Sequence, residues 1–140
     1  MKKLILLLLI IPVVFSCSKD ELVELDNQIV GKWYFEYYTV DNVDVDYDEC
    51  KQIGYFLFLN DGTGQEVTYF NNSTSGCKLD STKNLNWSFD GTEYDIKTFS
   101  GGSYAGVSSF GITYQYFGKI SDELLKIPVG YNGTINLKKD

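Results

Sequence analysis

The side chains best suited to chemistry in this chain are its three cysteines, Cys17, Cys50 and Cys77. They divide by position. Cys17 ends an apolar run and is followed by Ser18-Lys19-Asp20-Glu21, whereas Cys50 and Cys77 lie in polar, turn-rich stretches. A catalytic thiol needs a base or a cation to hold it as thiolate. The usual base is missing, because the 140 residues include no histidine. That absence also removes the commonest metal ligand. Arginine is absent as well, and with it the side chain best shaped to clamp phosphate or carboxylate. With no nucleophile–base pair in view, a hydrolase is a poor reading. We expect no catalytic residue, no metal and no cofactor.

The neighbourhood of Cys17 reads as an address. Lys2 and Lys3 precede an unbroken apolar run from Leu4 to Ile11, extended by Pro12-Val13-Val14-Phe15. This is shorter than the roughly 20 apolar residues a membrane-spanning helix needs. It has the dimensions of a secretory signal, and Ser16 is the small residue expected before a cleavage point. Val14-Phe15-Ser16-Cys17 resembles a bacterial lipobox. That resemblance implies a signal peptide over 1–16, acylation of Cys17 with palmitate-like chains, and a lipidated tether over 17–28. Several acyl chains make a firm membrane anchor without any protein span. Ser18-Lys19-Asp20-Glu21 resembles the acidic export tag of Bacteroidota lipoproteins, which implies an outer-membrane protein facing the cell surface. The alternative is a periplasm-facing one.

Charge narrows the partners. The chain has 12 basic and 19 acidic residues, a formal charge of −7. Loss of Lys2 and Lys3 with the signal leaves 10 basic residues against 19, or −9. Nucleic acid, which needs a basic footprint, is excluded. Cys50 and Cys77 remain as an even pair in an oxidising compartment, where pairing is the default.

From Ile29 onward, aromatic and β-branched residues alternate with turn signals at short spacing, an all-β pattern forming one domain over 29–140. We read eight strands: 30–40, 52–59, 65–70, 84–90, 92–99, 112–120, 124–129 and 134–138. Leu85, Trp87 and Phe89 share one face. So do Tyr114, Tyr116 and Ile120, and so do Leu125, Ile127 and Val129. Tyr55–Leu59 is apolar on both faces and has no orientation from pattern alone. The turns Asn60–Gly64, Asp90-Gly91 and Ser121–Glu123 are tight. They alternate with long connections over 41–51, 71–83 and 100–111. In an up-and-down antiparallel barrel this alternation closes one end with tight turns and rims the other with long loops. Cys50 and Cys77 then lie in two loops of the same end, within reach of a disulfide worth about 3 kcal/mol. A β-sandwich is the structural alternative, and its Greek-key connections would break the alternation.

Particular motifs point to a family. Gly31-Lys32-Trp33 resembles the Gly-x-Trp signature of lipocalins, whose tryptophan plugs the closed barrel end. Phe58-Leu59-Asn60-Asp61-Gly62-Thr63-Gly64 resembles a hairpin of the lipocalin-like domains in Bacteroidota lipoproteins. Leu85–Phe89 and Ser121–Leu125 resemble later strands of that group, and the paired cysteines fit it. The resemblance implies an eight-stranded barrel holding a small apolar or amphipathic ligand. Tyr37, Phe56, Trp87, Tyr114 and Tyr116 are the expected cavity residues, set against the reading that they only fill a core. Lipocalins usually pack an arginine across the tryptophan. This chain has none, which leaves Lys138 or Lys126 for that place.

Two further stretches carry less. Asp41–Glu49 is densely acidic but lacks the glycine and the spaced glutamate of a calcium loop, so it reads as a solvated rim. Ser100–Gly106 is glycine-rich without the Gly-Lys-Ser/Thr ending of a phosphate loop. The functional expectation is a non-catalytic, membrane-anchored ligand-binding barrel. The alternative is a surface interaction protein that docks a protein or glycan through its long loops. Replacing Cys17 with Ser should move the protein from the membrane fraction to the soluble one. Retention in the membrane fraction would contradict the anchor.

Overall fold

The computed structural model describes residues 27–104 and 107–140, with side chains described for 28–99, 111 and 114–140. A single 3-10 turn, Asn27–Ile29, leads into nine strands and one short helix. The strands are β1 (Gly31–Val40), β2 (Val43–Asp46), β3 (Tyr55–Phe58), β4 (Thr63–Asn72), β5 (Gly76–Phe89), β6 (Tyr94–Tyr104), β7 (Val107–Ser121), β8 (Leu124–Val129) and β9 (Gly133–Lys139). The helix α1 (Glu49–Gln52) lies between β2 and β3. Every pairing is antiparallel. The order follows the chain, and β9 returns to pair with β1. The result is a closed eight-stranded barrel, with β2 as an added ninth strand on the β1 edge.

Local chemistry explains the tight end. In the β3–β4 turn, Gly62 takes φ +81°, and the Asp61 carboxylate accepts hydrogen bonds from the Thr63 amide and hydroxyl. In the β5–β6 turn, Gly91 takes φ +96°, and Asp90 accepts from the amides of Thr92 and Glu93. The hydroxyl bond to Thr63 comes first in holding Asp61 below the usual carboxylate range, and the amide of Glu93 does the same for Asp90. Asp122 and Glu123 both take positive φ, the left-handed pair that two-residue hairpins require.

The interior is packed at this end. The Trp33 indole donates to the Ile29 carbonyl at 2.6 Å, drawing the 3-10 turn across the barrel floor. The Trp87 indole donates to the Leu59 carbonyl at 3.0 Å. Phe58, Leu85, Ile96, Leu125, Ile127 and Leu137 fill the space between them. A lysine does take the place of the arginine, but it is Lys139. Its ammonium lies 5.5 Å from the Trp33 ring centroid and donates to the Gln28 carbonyl at 2.8 Å. Register decides this. Lys139 is the partner of Trp33, whereas Lys138 pairs with Tyr34, and Lys126 is bound to Asp122 on the outer surface.

The other end differs from the sequence reading. The stretches 71–72, 76–83, 100–104 and 107–111 are strand rather than loop. They extend β4–β5 and β6–β7 into long two-stranded ribbons beyond the barrel wall. Backbone pairing in these hairpins needs no apolar alternation, so polar and glycine-rich sequence hid them. The 41–51 connection likewise folds into β2 and α1. The barrel needs both, because β3 covers only Gly31–Tyr34 of β1, and β2 covers Tyr37–Val40. Asp48, from the acidic stretch, caps α1 by accepting from the Cys50 and Lys51 amides. Cys50 and Cys77 form a disulfide with a Cα–Cα distance of 5.1 Å, tying α1 to the tip of the β4–β5 ribbon. Replacing both cysteines with alanine should lower unfolding free energy by about 3 kcal/mol in denaturant titration. A loss below roughly 1 kcal/mol would show that the ribbon and α1 dock without it.

Candidate functional site

The upper half of the barrel is hollow. A cavity of about 620 Å³ is walled by Tyr38, Tyr47, Tyr114, Tyr116, Val129 and Ile135, with Lys51 at its α1 side. The six wall residues come from five parts of the chain. Tyr114 and Tyr116 point inward from β7, stacked with centroids 6.1 Å apart. Ile135 and Val129 continue the inward face that Leu137, Leu125 and Ile127 begin. Tyr47 arrives from the turn before α1 and packs edge-on against Phe35 at 5.6 Å, with Tyr38 at 6.4 Å.

Tyr38 is there because of a β-bulge. Trp33 and Phe35 face inward, and strict alternation would send Tyr37 inward next. The β1–β9 register instead skips Glu36, so Tyr37 pairs with Asn136 and Tyr38 with Ile135. An extra residue reverses every side chain beyond it. Tyr37 therefore lies on the outer face and does not line the cavity, contrary to the expectation from pattern. Phe56 and Trp87 are also placed elsewhere. Phe56 is fully buried against Phe35 and Phe58, and Trp87 packs on Phe58 and Tyr94 in the floor. Of the five expected residues, Tyr114 and Tyr116 line the hollow. Cys17 lies outside the described residues.

Polar groups occupy the opposite interior wall. Glu66 and Lys83, cross-strand partners on β4 and β5, form an ion pair at 3.2 Å. The Lys83 ammonium also sits 5.0 Å from the Tyr114 ring centroid. Above them the Thr68 hydroxyl meets Ser81 at 2.9 Å and Asp80 at 3.1 Å. A buried charge is tolerated only when paired in this way. Thr98, fully buried beside Tyr114, has no hydrogen-bond partner for its hydroxyl among the described residues.

The cavity is also open at the side. The β7–β8 ladder stops after three pairs, from Ser121↔Leu124 to Lys119↔Lys126. Beyond it Pro128 has no amide hydrogen to continue the ladder. A second hollow of about 490 Å³ lies outside this gap and shares Gln115, Tyr116 and Pro128 with the first. The sequence held one signal of this, a proline inside an otherwise regular strand.

A family profile for the lipocalin-like domain matches residues 29–123. The chain belongs to the lipocalin-like domain family. Members of this family are typically non-enzymatic binding proteins. No curated protein and no solved structure matches the chain. The family and the geometry agree on a closed antiparallel barrel.

The tyrosines give the site a pH signature. Burial, with a smaller effect of Tyr38, pushes the Tyr47 phenol up to about 12. Burial again, then Glu66 and Tyr114, pushes Tyr116 up to about 12. The folded state therefore holds these protons more tightly than the unfolded chain does, for which the ordinary value is 10.0. Their contribution to stability is complete below pH 10 and is lost as pH rises toward 12. Tyrosinate absorbance should show phenols ionising near pH 12, and Tyr47→Phe and Tyr116→Phe should each remove one. Ionisation of either residue near pH 10 would place its ring in open water.

Proposed function

We propose that this protein is a non-catalytic, lipid-anchored barrel that binds a small apolar or amphipathic ligand in its upper cavity. The observation that carries this reading is the hollow itself. Its volume falls within the 300–1,000 Å³ range of small-molecule sites. Its wall is mostly aromatic and aliphatic, with phenol hydroxyls able to orient a polar group. A barrel needing only a core would fill this half as it fills the floor.

Cys17 carries the anchor in this reading, with 1–16 as signal, 17–28 as tether and the outer membrane, cell-surface side, as address. The described part of the chain begins with the 3-10 turn across the packed floor. No helix among the described residues is long and apolar enough to cross a membrane.

The surface-docking alternative has one observation of its own. Phe70 and Leu79 on the β4–β5 ribbon, Val43 and Val45 on β2, and Tyr131 in the β8–β9 turn are exposed. Single exposed apolar residues are ordinary on protein surfaces, so the cavity reading is preferred. The test is binding of the neutral dye N-phenyl-1-naphthylamine, followed by fluorescence. Val129→Trp, which fills the hollow at a half-buried position, should weaken the dye at least about tenfold, equivalent to about 1.4 kcal/mol. Tyr131→Ser should leave it unchanged. The reverse pattern would favour the docking reading.

A further inference from the structure

The cavity has one electrostatic feature that size and apolarity do not require. Beside the self-neutralising Glu66–Lys83 pair, the residues lining it carry one charge, that of Lys51. This lysine sits half-buried on α1, with its ammonium 4.5 Å from the Phe35 ring centroid, and lines the hollow. Among the described residues no carboxylate lies within ion-pair distance of it, although Lys83, Lys97, Lys119 and Lys126 each have one. Among the described residues Lys32, Lys78, Lys138 and Lys139 also lack one, but none of these lines the cavity. Asp48 and Glu49 are its near neighbours in sequence. The Asp48 carboxylate is occupied in capping α1 through the amides of Cys50 and Lys51, and Glu49 is exposed.

The position is also held firmly. The disulfide from Cys50 ties the preceding residue to β5, and the carbonyl of Lys51 accepts from the Gly54 amide at 3.0 Å. A cation is thus presented to an aromatic cavity, with no carboxylate paired to it among the described residues. Tyr38 and Tyr47 add phenol hydroxyls on the same side.

We propose that the ligand is a small apolar or aromatic monoacid, with its carboxylate paired to Lys51 and its body among Tyr38, Tyr47, Tyr114 and Tyr116. This rests on the cavity reading above and adds the charge of the occupant. A charge-assisted bond in a half-buried site is stronger than a neutral one, and the apolar wall keeps competing water away. A cationic ligand would meet the like charge of Lys51, and a neutral one would leave it unmatched.

The experiment uses three probes of one shape: 2-naphthoate, 2-naphthol and 2-naphthylmethylammonium. Each is titrated calorimetrically at pH 7 into the full chain carrying Cys17→Ser. The expected order is naphthoate tighter than naphthol by about tenfold, with the ammonium compound weakest. Lys51→Gln should erase the advantage of naphthoate and leave naphthol within about twofold, and Lys51→Glu should make the ammonium compound the best of the three. Equal binding of naphthoate and naphthol to the unaltered site overturns the proposal. So does an equal loss of all three probes in Lys51→Gln, which would mark a structural role for the lysine. If N-phenyl-1-naphthylamine still binds in either case, the cavity reading survives and only the monoacid falls. If neither dye nor probes bind, both fall.

Discussion

The ladder between β1 and β9 is the constraint on which the rest depends. Its seven residue pairs join the first long strand to the last. Without them the sheet has two open edges, each a row of unpaired amides and carbonyls. The same ladder sets the contents of both halves. At its lower end it places Lys139 over Trp33 and completes the floor. At its upper end the skipped residue, Glu36, turns Tyr38 into the cavity and Tyr37 out of it. One extra residue in one strand therefore separates a packed barrel from a lined one.

Much of this was legible from residue types. Inward faces on β5, β7 and β8 follow period-two alternation, and the structure keeps them as read, from Leu85 and Trp87 to Ile127 and Val129. The tight turns were legible too, because Asp-Gly pairs state their own geometry. Tyr37 was not, because a bulge leaves no mark in hydrophobic pattern. Tyr47 and Lys51 were hidden in a stretch whose acidity suggested solvent. The ribbon at 71–83 was hidden for another reason. Its side chains are mostly exposed, so its sequence carries no buried face to betray a strand. The disulfide needed only that two loops share an end, and the ribbon preserves that relation even though the loop itself is absent.

The two halves of the barrel divide the physical labour. Aromatic and aliphatic packing in the floor supplies stability, and burial of that kind is non-directional. The upper half gives up part of it. Tyr114 remains half-exposed at 53%, and Pro128 interrupts the ladder that would have sealed the wall. Polar groups are sorted around the hollow as well. Glu66 and Lys83 neutralise each other on one side of the Tyr114–Tyr116 stack, and Lys51 on the other has no carboxylate partner among the described residues. Lys32, Lys78, Lys138 and Lys139 lack one too, but Lys51 lines the cavity, and that position bears on what the cavity holds.

The most direct test of the central claim is native mass spectrometry of residues 18–140, exported to a bacterial periplasm and purified without detergent. The account predicts a folded species heavier than the denatured chain, with one small molecule released on collisional activation. A folded species with the mass of the disulfide-bonded polypeptide alone, unchanged after incubation with periplasmic extract, would contradict it.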